Sequence, residues 1–490
     1  MTFESSDRKS LCMRLLVGLF IFLATTLAAQ KPFNPNKKYH PDSLKRWTKS
    51  VMQGISEKHP GFYRYTPKEK FDRLIDSTAQ TIQDSLTELD YYRKMKPLFA
   101  QIGCLHTGIS LSSDYENYLI KTSTLIPIEI FIDADKKVLL TKNYDSLPEI
   151  KMGSEIVSIN GRPISDILRR LLNAIPSDGY NQTEKTLLLN HRFSFWYQTV
   201  IEVAPTYAID VKEQGMNKTY VLQGVSEKVF PNLQSLESNY QKPLEFERVN
   251  NTGILKVHSF AKSAAKNKGQ NFKKFIKATF REIEKNGVEN LIVDLRYNTG
   301  GTDGNAAYLA AYFFNKPFRY WDKIEVTEAI AEEIKGLNRL FYRKPKKSGD
   351  SYRWRKTWLT NEFNYYETLK PAKRYFPGTT YLLTNGLCLS SCSDFVAVLS
   401  HNKKALVVGQ ESGGGFQGNT SGMMPTASIP TGLQVTVPLM KYTNAVDSAK
   451  HFGRGTIPEY EVTPTFDSWM NKVDIEMEFV WKLINRSRGI

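Results

Sequence analysis

Three closely spaced serines, Ser390, Ser391 and Ser393, stand where an apolar strand gives way to a helix in the segment Leu382 to Gly415. A serine on such a turn can act as a nucleophile. The free N–H groups of the first helical turn and the positive end of the helix dipole favour an oxyanion developing beside it. The same side chains also serve as helix caps, so the cluster needs support from elsewhere in the chain. A serine hydroxyl is a weak nucleophile without a base within hydrogen-bonding reach. His106, in Cys104-Leu105-His106-Thr107-Gly108, is one of seven histidines and stands on a loop beside a glycine. Its imidazole is a base that works near neutral pH. A third segment, Asn298-Thr299-Gly300-Gly301, follows an apolar strand. Paired glycines there let backbone amides approach a ligand with no Cβ in the way.

Three regions must position these groups. From Pro41 to Phe99 the apolar residues recur at helical spacing: Leu44, Trp47 and Val51, then Phe71, Leu74 and Ile75, then Tyr91, Tyr92, Met95 and Leu98. That spacing buries one face per helix, and His59-Pro60-Gly61 separates the first helix from the second. Residues 30–112 therefore read as a helical region carrying the histidine loop. Residues 115–225 are β-rich, with strands expected at Leu125 to Ile132, Lys137 to Leu140 and Ala208 to Val211. Within them Met152 to Leu168 joins a strand, an Asn160-Gly161 turn and a helix. This phrase resembles a segment of the PDZ domain, a module that takes up an extended peptide as an added strand.

Residues 245–475 alternate strands and helices: Asn290 to Leu295, then Asn305 to Phe314, then Thr379 to Thr384, Asp394 to Leu399 and Ala405 to Gly409. Such alternation implies an α/β core with parallel strands. Lys323 to Pro371, rich in Trp, Tyr, Lys and Arg, reads either as a flap over a cleft or as a solvated insertion.

A chain of 490 residues can bury two or three cores. The balance of 66 Lys plus Arg against 50 Asp plus Glu gives +16, but the basic residues are scattered and no nucleic-acid motif accompanies them. A nucleic-acid partner is therefore not implied. At the N-terminus Arg8, Lys9 and Arg14 precede an apolar run, Leu15 to Leu27, that ends in Ala28-Ala29-Gln30. Residues 1–29 have the layout of a signal peptide, which implies a periplasmic or extracellular protein with no membrane span after cleavage. Three cysteines remain beyond it, Cys104, Cys388 and Cys392, too few for a disulfide scaffold. Cys388 and Cys392 lack further ligands at metal-binding spacing, so no metal is implied.

Taken together, the segments resemble the tail-specific, or C-terminal processing, family of serine peptidases. The strand-DLRxNxGG pattern is met by Asp294 to Gly301, and the serine cluster with its acidic follower by Ser391-Cys392-Ser393-Asp394. ALVVGQESGG follows at the expected distance, and an early IGxxHT segment contains His106. The resemblance implies a crotonase-like α/β core and hydrolysis of peptide bonds in extended or unfolded polypeptides through an acyl-enzyme, without a cofactor. It places the nucleophile three residues before the acid, at Ser391. It draws the oxyanion-hole amides from Cys392 and from Gly300 or Gly301. A serine-lysine branch of the family would need a lysine where this chain has Gly415. The tricorn-like branch uses an N-terminal histidine, which His106 matches.

Two departures bear on the site. Cys104-Leu105 replaces the Asp-Gly that often precedes the family's histidine. Phe452 stands where an orienting glutamate is expected, just before Gly453-Arg454-Gly455-Thr456-Ile457-Pro458. The third catalytic acid is thus left open, with Asp447 and Glu459 as nearby candidates. These departures also define the rival reading, a catalytically inactive peptide- or ligand-binding protein on the same fold. If His106 approaches Ser391, then Cys104 comes near Cys388 or Cys392, and a disulfide between the two loops is an expectation of this resemblance.

Overall fold

A computed structural model of the protein describes residues 33–146, 149–230, 240–355, 357, 359 and 368–487. The expected signal peptide lies outside the described residues. The described residues begin with helices α1 (Pro41–Lys58), α2 (Lys68–Gln80) and α3 (Glu88–Ala100). In α1, Pro41 occupies the first turn, and Leu44, Thr48, Met52 and Ile55 recur on one buried face. Thr87 caps α3 by accepting the Asp90 N–H, and Tyr91, Met95, Leu98 and Phe99 lock that helix into the core of the region. The loop leaving α3 carries His106 into a short strand, β1 (Gly108–Ser110).

The second unit is a sheet of β2 (Ile128–Ile132), β3 (Val138–Asn143), β4 (Glu155–Ile159), β5 (Thr206–Glu213) and β6 (Met216–Gln223), neighbours in that order. Helices α4 (Ile164–Ala174) and α5 (Thr183–Trp196) cover it. Asn160, at φ +49°, makes the turn expected at Asn160-Gly161. Strand β2 lies at the sheet edge and α5 packs along it. The Ile132 N–H donates to Asn190 Oδ1 at 2.9 Å, and Ser194 Oγ donates to the Ile128 carbonyl at 2.7 Å.

The third unit is built on six strands: β7 (Leu244–Val249), β8 (Thr252–Val257), β9 (Asn290–Asp294), β10 (Thr379–Thr384), β11 (Leu406–Gly409) and a short strand at Tyr460–Glu461. All are parallel neighbours except the antiparallel pair β7 and β8. Both faces of this sheet are covered. Leu291 and Val293 point into the larger core, while Ile292 points to the opposite face with Val480 and Ile484. Two-sided burial is why these strands read as continuous apolar runs in the sequence. Helix α6 (Asp303–Ala310) follows β9, and α7 (Ser391–His401) follows β10.

The Lys323 to Pro371 region is not simply a solvated insertion. Its strands Trp321–Val326, Lys346–Ser348 and Ser351–Arg353 join Thr420–Ser421 and Met440–Asn444 in a second sheet, and Trp354 is fully buried. Part of it, residues 360–367, lies outside the described residues. None of the described helices is long and apolar enough to cross a membrane.

Candidate active site

Strands β9 and β10 are parallel neighbours, so the two loops leaving their carboxyl ends meet, at the edge where α/β sheets commonly bind ligands. Asn385 ties them together, its Oδ1 accepting both the Tyr297 N–H (3.1 Å) and the Leu387 N–H (3.0 Å). The buried Asn298 adds a second tie. Its carbonyl accepts the Leu389 N–H, its Nδ2 donates to the Val257 carbonyl, and its Oδ1 accepts the Gly300 N–H. Gly300 has φ +102° and Gly301 φ +136°. A Cβ on Gly300 would fall 2.8 Å from Ser390 Cβ, and one on Gly301 would fall 2.2 Å from the Ala261 nitrogen. Only glycine allows the loop to lie this close to the serine turn.

Ser390 is the residue around which the chain turns into α7. Its φ of +52° and ψ of −130° put a non-glycine residue in the left-handed half of backbone space. Such a conformation costs on the order of 1–3 kcal/mol and persists only when its surroundings hold it. Here the Ser390 carbonyl accepts from Ser393 Oγ (2.7 Å) and the Asp394 N–H (3.1 Å), and the Cys392 N–H donates to the Leu389 carbonyl at 2.9 Å.

The histidine loop reaches this turn. His106 Nε2 lies 3.2 Å from Ser390 Oγ, across 284 residues of sequence. Burial lowers the His106 pKa to about 4, so the imidazole is neutral at pH 7 and free to accept a proton. Ser391, by contrast, points inward: it is 1% exposed, and its Oγ has no hydrogen-bond partner among the described residues. His106 thus lies against Ser390 rather than against Ser391, the serine expected to pair with it. The positive φ at Ser390 aims that side chain out of the turn, while Ser391 has become the first residue of the helix.

The Cys392 N–H is engaged by Leu389 and the Gly300 N–H by Asn298, whereas the N–H groups of Ser391 and Gly301 have no acceptor among the described residues.

The sequence profile of peptidase family S41 matches residues 251–462, which span β8 to the last strand of the main sheet and include both loops. Among solved structures, mature CPAF superposes with a TM-score of 0.60 at 13% identity, covering 91% of this chain and 98% of that one. CPAF complexed with lactacystin gives a TM-score of 0.61 at 13% identity, covering 91% and 99%. The chain carries a peptidase family S41 domain. It is accordingly a serine-type peptidase, a hydrolase acting on proteins.

In this S41 domain the carboxylate of the acid after the serines, Asp394, bonds neither Ser390 Oγ nor the His106 ring. It is buried and accepts hydrogen bonds from Asn444 Nδ2 (2.9 Å), Asn419 Nδ2 (3.2 Å) and Trp321 Nε1 (3.4 Å), pinning the start of α7 to the second sheet. Burial pushes its pKa up to about 7. The two candidates for the third acid are engaged elsewhere. Glu459 accepts the Val407 N–H at 2.7 Å, and Asp447 accepts the Ala449 N–H at 2.9 Å in an exposed turn.

The three described cysteines of the S41 peptidase are free thiols, so the expected disulfide is absent among the described residues. Cys104 turns into the helical region's core and donates to the Thr420 carbonyl at 3.4 Å, while Cys388 and Cys392 sit in the core beneath the main sheet. Burial pushes the Cys104 thiol up to about 12, which leaves it protonated and unreactive.

A cleft of about 210 Å³ adjoins the site through Tyr297 and Asn385 and is walled by Leu187 of α5 and by Trp469. Neither Ser390 nor His106 lines it.

Proposed function

We propose that the chain is an exported serine endopeptidase in which Ser390 is the nucleophile and His106 the general base. The observation that carries this reading is the 3.2 Å approach of His106 Nε2 to Ser390 Oγ at a backbone turn whose next N–H is unoccupied. The hydroxyl proton of Ser390 passes to Nε2 as Oγ attacks the scissile carbonyl carbon. The carbonyl oxygen takes the negative charge and is held by the N–H groups of Ser391 and Gly301. Collapse breaks the C–N bond, His106 returns its proton to the leaving amine, and a water activated by the same imidazole hydrolyses the acyl-enzyme. Export follows from the layout of residues 1–29.

Residues 115–225 are proposed as a PDZ-like module that holds extended polypeptide substrate, residues 30–112 as the region that delivers the histidine, and residues 245–475 as the catalytic core. The sheet of β2 to β6, with α4 and α5 packed on it, supports the first of these assignments.

Reaction of the mature protein with a fluorophosphonate probe tests the assignment. Labelling is expected in the wild type, and its loss in Ser390→Ala and His106→Ala. Labelling that survives in Ser390→Ala rejects the nucleophile. A wild type that neither labels nor cleaves protein favours the inactive binding reading.

A further inference from the structure

We infer that Asp178, on the loop between α4 and α5, is the positioning acid of the catalytic histidine, in place of the acid missing before Gly453. This rests on the assignment of Ser390 and His106. A carboxylate oxygen of Asp178, a ring nitrogen of His106 and Cys104 Sγ all lie within 4.8 Å of one another. Nε2 faces Ser390 Oγ, so the nitrogen left for an acid is Nδ1, which is buried with no hydrogen-bond partner among the described residues.

Asp178 is built into this position. It is 2% exposed, its Oδ1 accepts the N–H of Leu105, the neighbour of His106, at 3.1 Å, and its Oδ2 accepts the Gly415 N–H at 3.1 Å. One carboxylate thus joins the histidine loop to the glycine segment behind the serine turn. Gly415 is also where a serine-lysine peptidase would carry its base. Here that position holds the acid of a histidine-based site.

Of the other buried acids nearby, Glu184 has an unpartnered Oε2 and is raised by burial and by Asp178 itself, while two are held by partners of their own. Glu411 is held by Arg454 and the Gly455 N–H, and Asp394 by Trp321, Asn419 and Asn444. The Thr420 carbonyl is the other acceptor near His106 and acts to raise its pKa. A carbonyl can orient an Nδ1–H but has no net charge. Asp178 supplies the charge that favours the imidazolium formed when Ser390 gives up its proton.

The groups facing this pair set the pH at which it works. Burial raises Asp178 to about 6, against the opposing pull of the Leu105 and Gly415 N–H groups and, after them, of Arg64. Burial pushes Glu184 well above its usual value, and the Cys104 thiol and Tyr65 phenol are also raised, so the last two are uncharged at neutral pH. His59, beside His106, is lowered to about 3 and is likewise neutral, while Asp394 lies farther off in the same field. Asp178 is therefore a carboxylate above about pH 6 and is neutralised as pH falls through that value. Reactivity should decline there, well before His106 itself is protonated near 4.

The experiment measures the second-order rate of fluorophosphonate labelling from pH 4.5 to 9 in the full mature protein. Asp178→Asn is expected to slow labelling about 10²- to 10⁴-fold at pH 8 and to abolish the limb near pH 6. Arg64→Gln removes a cation that lowers the acid's pKa, so the limb should move to higher pH with the plateau rate unchanged. A folded Asp178→Asn protein that labels at the wild-type rate with the wild-type limb overturns the inference. Should Asp178→Asn fail to fold, an unmoved limb in Arg64→Gln overturns it equally. Failure of the Ser390 assignment is separate, because it shows as labelling that persists in Ser390→Ala.

Discussion

Ser391→Ala is the substitution on which the two serine assignments disagree most sharply. If Ser391 were the nucleophile, its loss would remove both the reacting oxygen and nearly all turnover, about 10⁴- to 10⁶-fold in kcat. The structure leads to the opposite expectation. Ser391 Oγ is buried with no partner, and a buried hydroxyl without a hydrogen bond costs about 1–3 kcal/mol. Alanine removes that penalty, keeps the helical backbone and gives up only a small side chain's packing. A gain of about 1 kcal/mol in unfolding free energy is expected, visible as a higher urea midpoint with an unchanged slope. The Ser391 N–H, the part of this residue proposed to act on the oxyanion, survives the change. Peptidase activity should therefore stay within about threefold of wild type, since the altered atoms never meet the substrate. Urea titration and casein hydrolysis on the same preparation read both quantities. A well-folded Ser391→Ala protein with activity reduced a thousandfold would falsify the assignment of Ser390 as nucleophile.

Other substitutions report on the surrounding structure. Gly301→Ala forces a Cβ to within 2.2 Å of the Ala261 nitrogen and disturbs a proposed oxyanion donor, so casein hydrolysis should drop about 10²- to 10³-fold. Glu184 has a carboxyl raised by burial, with Oε2 unpartnered, so the native state holds its proton at pH values where the unfolded chain has released it. Its contribution to stability is largest at low pH and declines as pH rises above the usual carboxylate range. Glu184→Gln should raise the urea midpoint more at pH 8 than at pH 5. Leu291→Ala, in the central strand of the main sheet, should cost about 2–5 kcal/mol in urea unfolding and leave the reacting groups chemically intact.

Much of the architecture was legible because burial leaves a regular trace. The apolar runs at Asn290 and Thr379 mark strands covered on both faces, and the Leu44, Trp47 and Val51 spacing marks one face of a helix, with Leu44 buried and the other two partly buried against the same core. Strand β10 begins and ends at the expected residues, while α7 starts three residues earlier than expected because its small serines carry no apolar period.

The approach of the histidine loop to the serine loop was also readable, through the family resemblance rather than the residues alone. Which serine the imidazole faces was not. Counting back from Asp394 selects Ser391, but the direction a side chain takes depends on the φ of a single residue, which no motif spacing encodes. Asp178 was invisible for a related reason. It belongs to an irregular Ser177-Asp178-Gly179 turn in the second unit, and only the three-dimensional packing of that turn brings it to a histidine 72 residues earlier.

The capping of β2 by α5 changes what peptide capture by the second unit would require. At an open sheet edge an incoming strand gains its hydrogen bonds without losing any. At this one it must first displace Asn190 from the Ile132 N–H and Ser194 from the Ile128 carbonyl. Two such bonds are worth about 1–3 kcal/mol together, so capture at β2 would be weakened by roughly 5- to 150-fold relative to a vacant edge. Helix α5 begins two residues after Asn181, whose Nδ2 donates to the Ser412 carbonyl at 2.9 Å, and five after Asp178. Recognition at β2 would thus be an exchange of partners, and the helix that would have to yield is tethered to the segment behind the serine turn.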